Sequence, residues 1–114
     1  MSSAGDAVAF VVTNTTSGES RHIVRPCVEE RLAACANVIP GMESTYWWDG
    51  KLVEGEREDV VLLKTTASMV DALRERVLEL HPYETPYVAV LSPVDVIEAY
   101  GAWVRETVGA REAS

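Results

Sequence analysis

Leu80–Leu91, LHPYETPYVAVL, joins a helix-like pattern to an apolar run and holds two of the five prolines of the chain. A residue that precedes a proline is pushed away from the helical region, so His81 is predicted to end a helix. Thr85 also precedes a proline and is predicted to be extended, which leads the chain into a strand at Tyr87–Leu91. This corner places one histidine and one carboxylate, Glu84, where a helix end meets a sheet.

Two elements are predicted before the middle of the chain. Ala7–Asn14, AVAFVVTN, is β-branched and apolar, which is typical of a strand buried on both faces. Apolar residues then recur at helical spacing over Glu19–Cys35, and Pro26 within this stretch predicts a kink or a later helix start. On one helix Cys27 and Cys35 would be about 12 Å apart, too far for a disulfide, so both are predicted to be buried thiols.

A long hairpin is predicted next. Its first strand begins at Asn37–Ile39, is interrupted by a Pro-Gly pair, and resumes over Met42–Trp48. The dipeptide Asp49–Gly50 is typical of a type I′ turn. Lys51–Glu58 then leads back into a strand at Asp59–Thr65.

Two more helices lie on either side of the opening corner. Ser68 is the predicted N-cap of the second helix, with Asp71 three residues later. Its apolar stripe consists of Val70, Leu73, Val77 and Leu80. After the last strand, Asp95 is the predicted cap of a helix over Val96–Val108.

The element order β-α-β-β-α-β-α predicts an α+β fold. Its first six elements form the ferredoxin-like βαββαβ pattern, an antiparallel sheet with two helices on one face, here with a long hairpin and an extra C-terminal helix. We expect one domain over residues 7–108, between a flexible N-terminus at 1–6 and a flexible tail at 109–114.

The predicted strands are too apolar for a sheet with one wet face. AVAFVV, VVLL and YVAVL carry apolar side chains on both sides, and Tyr46–Trp48 places aromatic rings on opposite faces because strand side chains alternate. If the side chains of either face were exposed to solvent, they would form an apolar patch that favours association. We predict that the last helix covers part of the second face and that other copies of the chain cover the rest, through the sheets and the hairpin at 38–60.

Composition excludes several kinds of partner. The formal net charge is −8, whereas contact with nucleic acid or an anionic membrane surface requires a basic face. No segment reaches the roughly 18 apolar residues of a membrane helix, and Met1–Asp6 lacks the features of a secretory signal. We expect a cytoplasmic protein.

Motifs of the common catalytic classes are missing from the sequence, so we expect no enzyme. There is no Ser/His/Asp order, Cys–His pattern, glycine-rich phosphate loop or CxxC. Acylphosphatases share the element order but carry an arginine in a phosphate loop, where Asn14–Gly18 is uncharged. RNA-recognition modules stack bases on aromatic strands, whereas the central strands here are aliphatic.

Several ordered segments together resemble the CutA divalent-cation tolerance family. They are EERLAACANVIPGMESTYWWDGKL at Glu29–Leu52, LLKTT at Leu62–Thr66, ELHPYETPYV at Glu79–Val88 and AYGAW at Ala99–Trp103. The resemblance implies a ferredoxin-like subunit in a cytoplasmic homotrimer, similar in architecture to PII signalling proteins. It also implies a role in tolerance of divalent metals, copper especially.

His81 and Glu84 are the candidate metal ligands. An imidazole suits Cu²⁺ or Zn²⁺, but a histidine at a helix C-terminus also interacts with the dipole, which favours the protonated form that competes with metal. The resemblance implies that some family members bind copper through a cysteine near the end of the first strand and two adjacent histidines. Those positions are Val12, Leu80 and His81 here, so one donor of three is retained.

The resemblance places Trp48, Lys64, Tyr83 and Glu84 near a cleft between subunits. Lys64 interrupts an apolar strand and is expected to need a partner, for which Glu84 is the candidate. Two interpretations are open: a pocket for a small anion or a metal-linked ligand, or an ion pair that fixes the register of the subunits. The predicted function is divalent-cation tolerance with weak metal binding and no obligatory cofactor; the alternative is a PII-like small-molecule-sensing or scaffolding trimer.

The remaining polar candidates have simpler explanations. His22 is expected to face solvent on the first helix. Glu54, Glu56, Glu58 and Asp59 form an acidic run after the hairpin turn. Carboxylates attract hard cations, but acidic side chains also protect an edge strand from pairing, and we expect a solvated edge here.

Overall fold

The computed structural model describes residues 6–109, which form the predicted order of elements. The elements are β1 (Val8–Thr16), α1 (Arg21–Glu29), β2 (Cys35–Trp48), β3 (Lys51–Thr66), α2 (Val70–Leu80), β4 (Val88–Leu91) and α3 (Glu98–Thr107), with a 3-10 turn at Ala67–Met69. The predicted flexible ends lie outside the described residues except for Asp6 and Gly109. Within 6–109, no helix has the length and apolar character needed to cross a membrane.

The four strands form one antiparallel sheet in the order β2-β3-β1-β4. β1 pairs with β3 along its whole length, from Val8 opposite Thr66 to Thr16 opposite Glu58. β4 pairs with the middle of β1, and β2 pairs with β3 to form the long hairpin. This arrangement confirms the predicted ferredoxin-like α+β fold.

Helices α1 and α2 cover one face of the sheet. The side chains enclosed there are fully buried and come from β1, β3, both helices and the loop between α1 and β2: Val11, Ile23, Cys27, Ala33, Val61, Leu63, Leu73 and Val77. Leu73 and Val77 belong to the stripe predicted for the second helix. The hydrophobic effect at this face fixes the register of the sheet, because a slip of one residue would expose the whole set.

Helix α3 covers part of the opposite face. Val104 and Val108 pack with Val8 in a second buried cluster, against which Phe10 and Tyr100 also lie. The prediction that the last helix covers only part of this face is confirmed. Large apolar side chains stay exposed on the hairpin and β4: Val38, Ile39, Tyr46, Trp47, Trp48, Leu52, Val90 and Leu91.

Helix α1 ends at Glu29, so its predicted extension to Cys35 is wrong. Arg31 has φ 61° and reverses the chain. The amide of Leu32 donates to the carbonyl of Cys27 and the amide of Arg31 to that of Val28, which is the Schellman ending of a helix. Glycine usually occupies the left-handed position, so an arginine there gave no signal in the sequence.

The cysteines therefore lie on different elements. Cys27 is buried on α1, whereas Cys35 is the first residue of β2 and is only partly buried. Both are free thiols. Burial raises the pKa of the Cys27 thiol to about 11. Pro26 lies inside α1 without ending it.

The hairpin is one continuous pair of strands. Asp49 and Gly50 have φ of 53° and 75°, which supports the predicted type I′ turn. The predicted interruption at Pro40–Gly41 is a shift in register between Ile39 and Met42, and a second shift lies between Ser44 and Tyr46. Bulges of this kind increase the local twist of a long hairpin.

Neither predicted side-chain cap forms. Met69 precedes α2 and Ile97 precedes α3, and neither helix has a side-chain hydrogen bond at its start. Ser68 lies in the 3-10 turn instead, where its amide donates to Oδ1 of Asp6. Asp95 lies outside α3, which begins at Glu98.

Candidate functional site

A cleft of about 640 Å³ lies between the end of β1, the β2–β3 hairpin and the corner after α2. Its wall combines carboxylates, aromatic rings and hydroxyl groups. The lining residues are Asn14, Thr16, Ser44, Thr45, Tyr46, Trp48, Glu56, Glu58, Tyr83, Glu84, Thr85 and Tyr87. Asn14 and Thr16 alternate with Val11 along β1, so they lie on the face opposite α1 and α2.

Glu58 lies in the floor of this cleft and is only 4% exposed. Its Oε2 accepts a hydrogen bond of 2.6 Å from the phenol of Tyr83. Its Oε1 accepts from Ser44 Oγ at 2.6 Å and from Asn14 Nδ2 at 3.0 Å. The carboxylate thus joins β1, β2, β3 and the corner into one polar network.

The same network sets the ionisation of Tyr83. Burial, together with the hydrogen bond to Glu58, raises the pKa of the phenol to about 12. The hydroxyl of Thr16 donates to the phenolic oxygen at 3.3 Å and opposes this shift. Tyr83 is therefore a neutral hydrogen-bond donor at physiological pH.

Acceptors exceed donors in the cleft. Lysine, arginine and histidine are all missing from its lining among residues 6–109, although three carboxylates contribute to it. Asn14 uses its Nδ2 on Glu58, and its Oδ1 is buried without a hydrogen-bond partner. A ligand that supplies positive charge and N–H or O–H groups would complement this surface.

His81 holds the corner and does not line the cleft. It is the C-cap of α2 and has the extended backbone predicted for a residue before proline. Its Nδ1 accepts from the amide of Tyr83 at 3.2 Å, which places the proton on Nε2. Nε2 then donates to the carbonyl of Asn14 at 2.9 Å, with Thr13 Oγ1 at 3.1 Å. Both ring nitrogens are therefore engaged.

Three of the four residues predicted for a cleft between subunits line this cleft within one chain: Trp48, Tyr83 and Glu84. Their position at a subunit boundary stays a prediction. Lys64 does not line this cleft. Its Nζ lies 5.9 Å from the ring centre of Phe10 and 5.6 Å from that of Tyr100, beneath α3. It is six strand residues from Glu58, or about 20 Å along β3. Lys64 and Glu84 form no ion pair with each other among residues 6–109, and their pairing between subunits stays a prediction.

The acidic run is only partly solvated. Glu54 and Glu56 are exposed as predicted, but Glu58 and Asp59 are buried. Asp59 accepts a hydrogen bond from the amide of Gly18 at 3.0 Å. The predicted solvated edge holds for Glu54 and Glu56, where β3 pairs with β2 alone, and is wrong from Glu58 onward, where β1 pairs with the other side of β3.

Metal ligands do not converge in the described chain. Between residues 6 and 109, no group of three histidine, cysteine or acidic side chains is arranged to hold an ion. His22 is exposed on α1 beside Glu19, as predicted. The network of Glu58, Asn14 and Ser44 was not predicted. Its only signal in the sequence is that Glu58 lies in a strand just before an apolar run.

Comparison with known proteins identifies close relatives. The family model for the CutA1 divalent ion tolerance protein matches residues 8–107. The chain is 40% identical over 99 residues to the divalent-cation tolerance protein CutA of Thermus thermophilus, covering 87% of this chain and 95% of that protein. It is 39% identical over 102 residues to Protein CutA of Homo sapiens, of which it spans 56%.

Solved structures share the fold. The divalent cation tolerance protein (Cut A1) of Thermus thermophilus superposes with a TM-score of 0.83 at 40% identity, covering 90% of this chain and 99% of that one. CutA from Synechococcus elongatus superposes with a TM-score of 0.85 at 31% identity, covering 93% of each chain. These matches confirm the resemblance drawn from Glu29–Leu52 and Glu79–Val88.

Proposed function

Because the chain belongs to the CutA1 divalent ion tolerance family, we propose that it acts in divalent-cation tolerance as a homotrimer with weak metal binding. The exposed apolar surface of the hairpin is the observation that supports this assembly. Trp47, Leu52 and Ile39 are 71%, 50% and 52% exposed on the hairpin. Exposed apolar surface on a long pair of strands marks a site of contact with another chain.

The metal would be copper or another divalent cation, held weakly near the corner by His81 and Glu84. Glu84 is an exposed carboxylate in the cleft, without a hydrogen bond or ion pair among residues 6–109. A metal at His81 must displace the bond from Nε2 to the carbonyl of Asn14, or that from the amide of Tyr83 to Nδ1. This competition, with few donors, accounts for weak binding.

Two measurements test this function. Sedimentation velocity at micromolar concentration is expected to give three times the 12.5 kDa mass of the chain. Calorimetric titration with CuSO₄ and ZnSO₄ is expected to show weak binding that is lost in His81→Ala and reduced in Glu84→Gln.

His22→Ala is the matched control for the titration, because His22 is the other histidine and lies exposed on α1. It is expected to bind metal as the wild type does. Equal binding by wild type and His81→Ala would remove His81 from the proposed site. A monomer would contradict the proposed assembly.

A second function, in a different class, is small-molecule sensing through the cleft. A space of about 640 Å³ is far larger than a single ion needs and is in the range of small-ligand pockets. Tyr46, Trp48, Tyr83 and Tyr87 line it with aromatic rings. A small molecule that co-purifies in this cleft would favour sensing over metal tolerance.

A further inference from the structure

We propose that the cleft binds a protonated organic amine, a molecule with N–H groups on a cationic nitrogen beside an apolar or aromatic part. The inference deepens the small-molecule function and rests on it. It follows from three independent properties of the cleft wall: its charge, its unused acceptors and its aromatic rings.

Charge selects the sign of the ligand. Glu58 is almost completely buried, and a buried carboxylate is costly unless a positive group or several hydrogen bonds compensate it. Three neutral donors satisfy its hydrogen bonds and leave its negative charge in place, because no cationic side chain lines the cleft in residues 6–109. Glu56 and Glu84 add negative charge at the rim. A small anion would meet three carboxylates here, so this cleft disfavours an anionic ligand.

Hydrogen bonding selects the kind of cation. Asn14 Oδ1 is buried without a donor, and Glu58 directs both oxygens toward the network beside it. A buried acceptor of this kind normally has a partner. A primary ammonium carries three N–H groups for the carboxylate and hydroxyl oxygens that line the cleft, whereas a quaternary ammonium has none to donate.

Aromatic rings and volume select an organic cation over a bare ion. Trp48 and Tyr46 project from β2 on one side of the cleft, and Tyr83 and Tyr87 come from the corner on the other. A cation against such rings gains a favourable electrostatic interaction, and its apolar part gains contact area. Tight binding of a bare divalent ion requires several converging ligands, and no group of three histidine, cysteine or acidic side chains is arranged to hold one among residues 6–109.

Matched probes test the class of ligand directly. The protein is titrated with phenethylammonium, with phenylacetate, and with N,N,N-trimethylphenethylammonium, followed by calorimetry and tryptophan fluorescence. Saturable binding of phenethylammonium, weaker binding of the trimethyl analogue and no binding of phenylacetate are expected. Equal affinity for the two cations, or binding of phenylacetate, would overturn the proposal.

Variants locate the binding in the cleft. Glu58→Gln keeps the size of the side chain and removes its charge, and we expect phenethylammonium to bind about tenfold more weakly, as loss of a charge-assisted contact implies. Glu54→Gln makes the same change on the same strand outside the cleft and is expected to leave the affinity unchanged. Glu84→Gln, at an exposed position, weakens binding without risk to folding. Unchanged affinity in both Glu58→Gln and Glu84→Gln would contradict the site.

Sedimentation velocity on the same samples separates the two proposals. A trimer that binds no phenethylammonium would overturn the amine site and leave the assembly intact. A monomer that binds it at the Glu58-dependent site would support the amine site and contradict the assembly.

Discussion

The phenolic oxygen of Tyr83 lies 2.6 Å from Oε2 of Glu58 and ties the corner after α2 to the middle of β3. Twenty-five residues separate the two in sequence. Glu58 also accepts from Asn14 and Ser44, so this one carboxylate is the point where the elements around the cleft meet. The corner after α2 thus supports the floor of the cleft through Tyr83.

This hydrogen bond makes the titration of Tyr83 diagnostic. The pKa of Tyr83 is raised to about 12 by burial and by Glu58, so Glu58→Gln is expected to lower it. Absorbance at the tyrosinate band, as the difference between each protein and its Tyr83→Phe version, isolates this tyrosine from the other three. An unchanged pKa in Glu58→Gln would show that the bond does not persist in solution.

The raised pKa also predicts a pH dependence of stability. In the unfolded chain a tyrosine ionises near pH 10, whereas folded Tyr83 stays neutral to about pH 12. Tyr83 therefore contributes stability below pH 10 that is lost as the pH rises through 12. Urea unfolding between pH 9 and 12 is expected to show a steeper loss in wild type than in Tyr83→Phe.

The two thiols are expected to react differently. Burial raises the pKa of Cys27 to about 11, and its side chain is fully enclosed between α1 and the sheet, whereas Cys35 is partly exposed. A thiol-specific chromophoric reagent is expected to modify at most one thiol per folded chain and both in urea. Cys27→Ala should leave the fast reaction unchanged, and Cys35→Ala should abolish it. Rapid modification of native Cys35→Ala would contradict the burial of Cys27.

Truncation in the core under α2 is expected to be costly. Leu73 is fully buried, and Leu73→Ala is predicted to lower the free energy of unfolding by about 2–5 kcal/mol. Leu78 on the same helix is 50% exposed, so Leu78→Ala is the matched control and is expected to change stability much less. Urea unfolding at one fixed protein concentration measures both. Equal losses of stability in the two variants would contradict the burial of Leu73 beneath α2.

How far the sequence predicts the structure depends on the range of the interaction. Local rules were sufficient for the helix end at His81 and the turn at Asp49–Gly50, because prolines and Asp-Gly act on their own backbone. The burial of Glu58 depends on strand order and on partners 14 to 44 residues away, which composition does not reveal. Lys64 shows the same dependence on strand order: it lies on the same face of the sheet as Glu58, but near the other end of β3.

Arg31 has a left-handed backbone conformation that its residue type does not indicate, and its substitution tests the end of α1. Its φ of 61° is costly for any residue with a Cβ, by about 1–2 kcal/mol. Its side chain contributes in return, because Nη1 donates to the carbonyl of Thr107 at 3.2 Å. The backbone carbonyl of Arg31 also accepts from the amide of Gly109. The arginine thereby joins the end of α1 to the end of α3.

Two substitutions separate these contributions. Arg31→Ala loses the side-chain bond and keeps the strained backbone, whereas Arg31→Gly loses the bond and relieves the strain. We expect Arg31→Gly to be more stable than Arg31→Ala by about 1 kcal/mol in urea unfolding, although glycine gives the unfolded chain more freedom. If alanine were as stable as glycine, residue 31 would not be left-handed, and the boundary of α1 would have to lie beyond it.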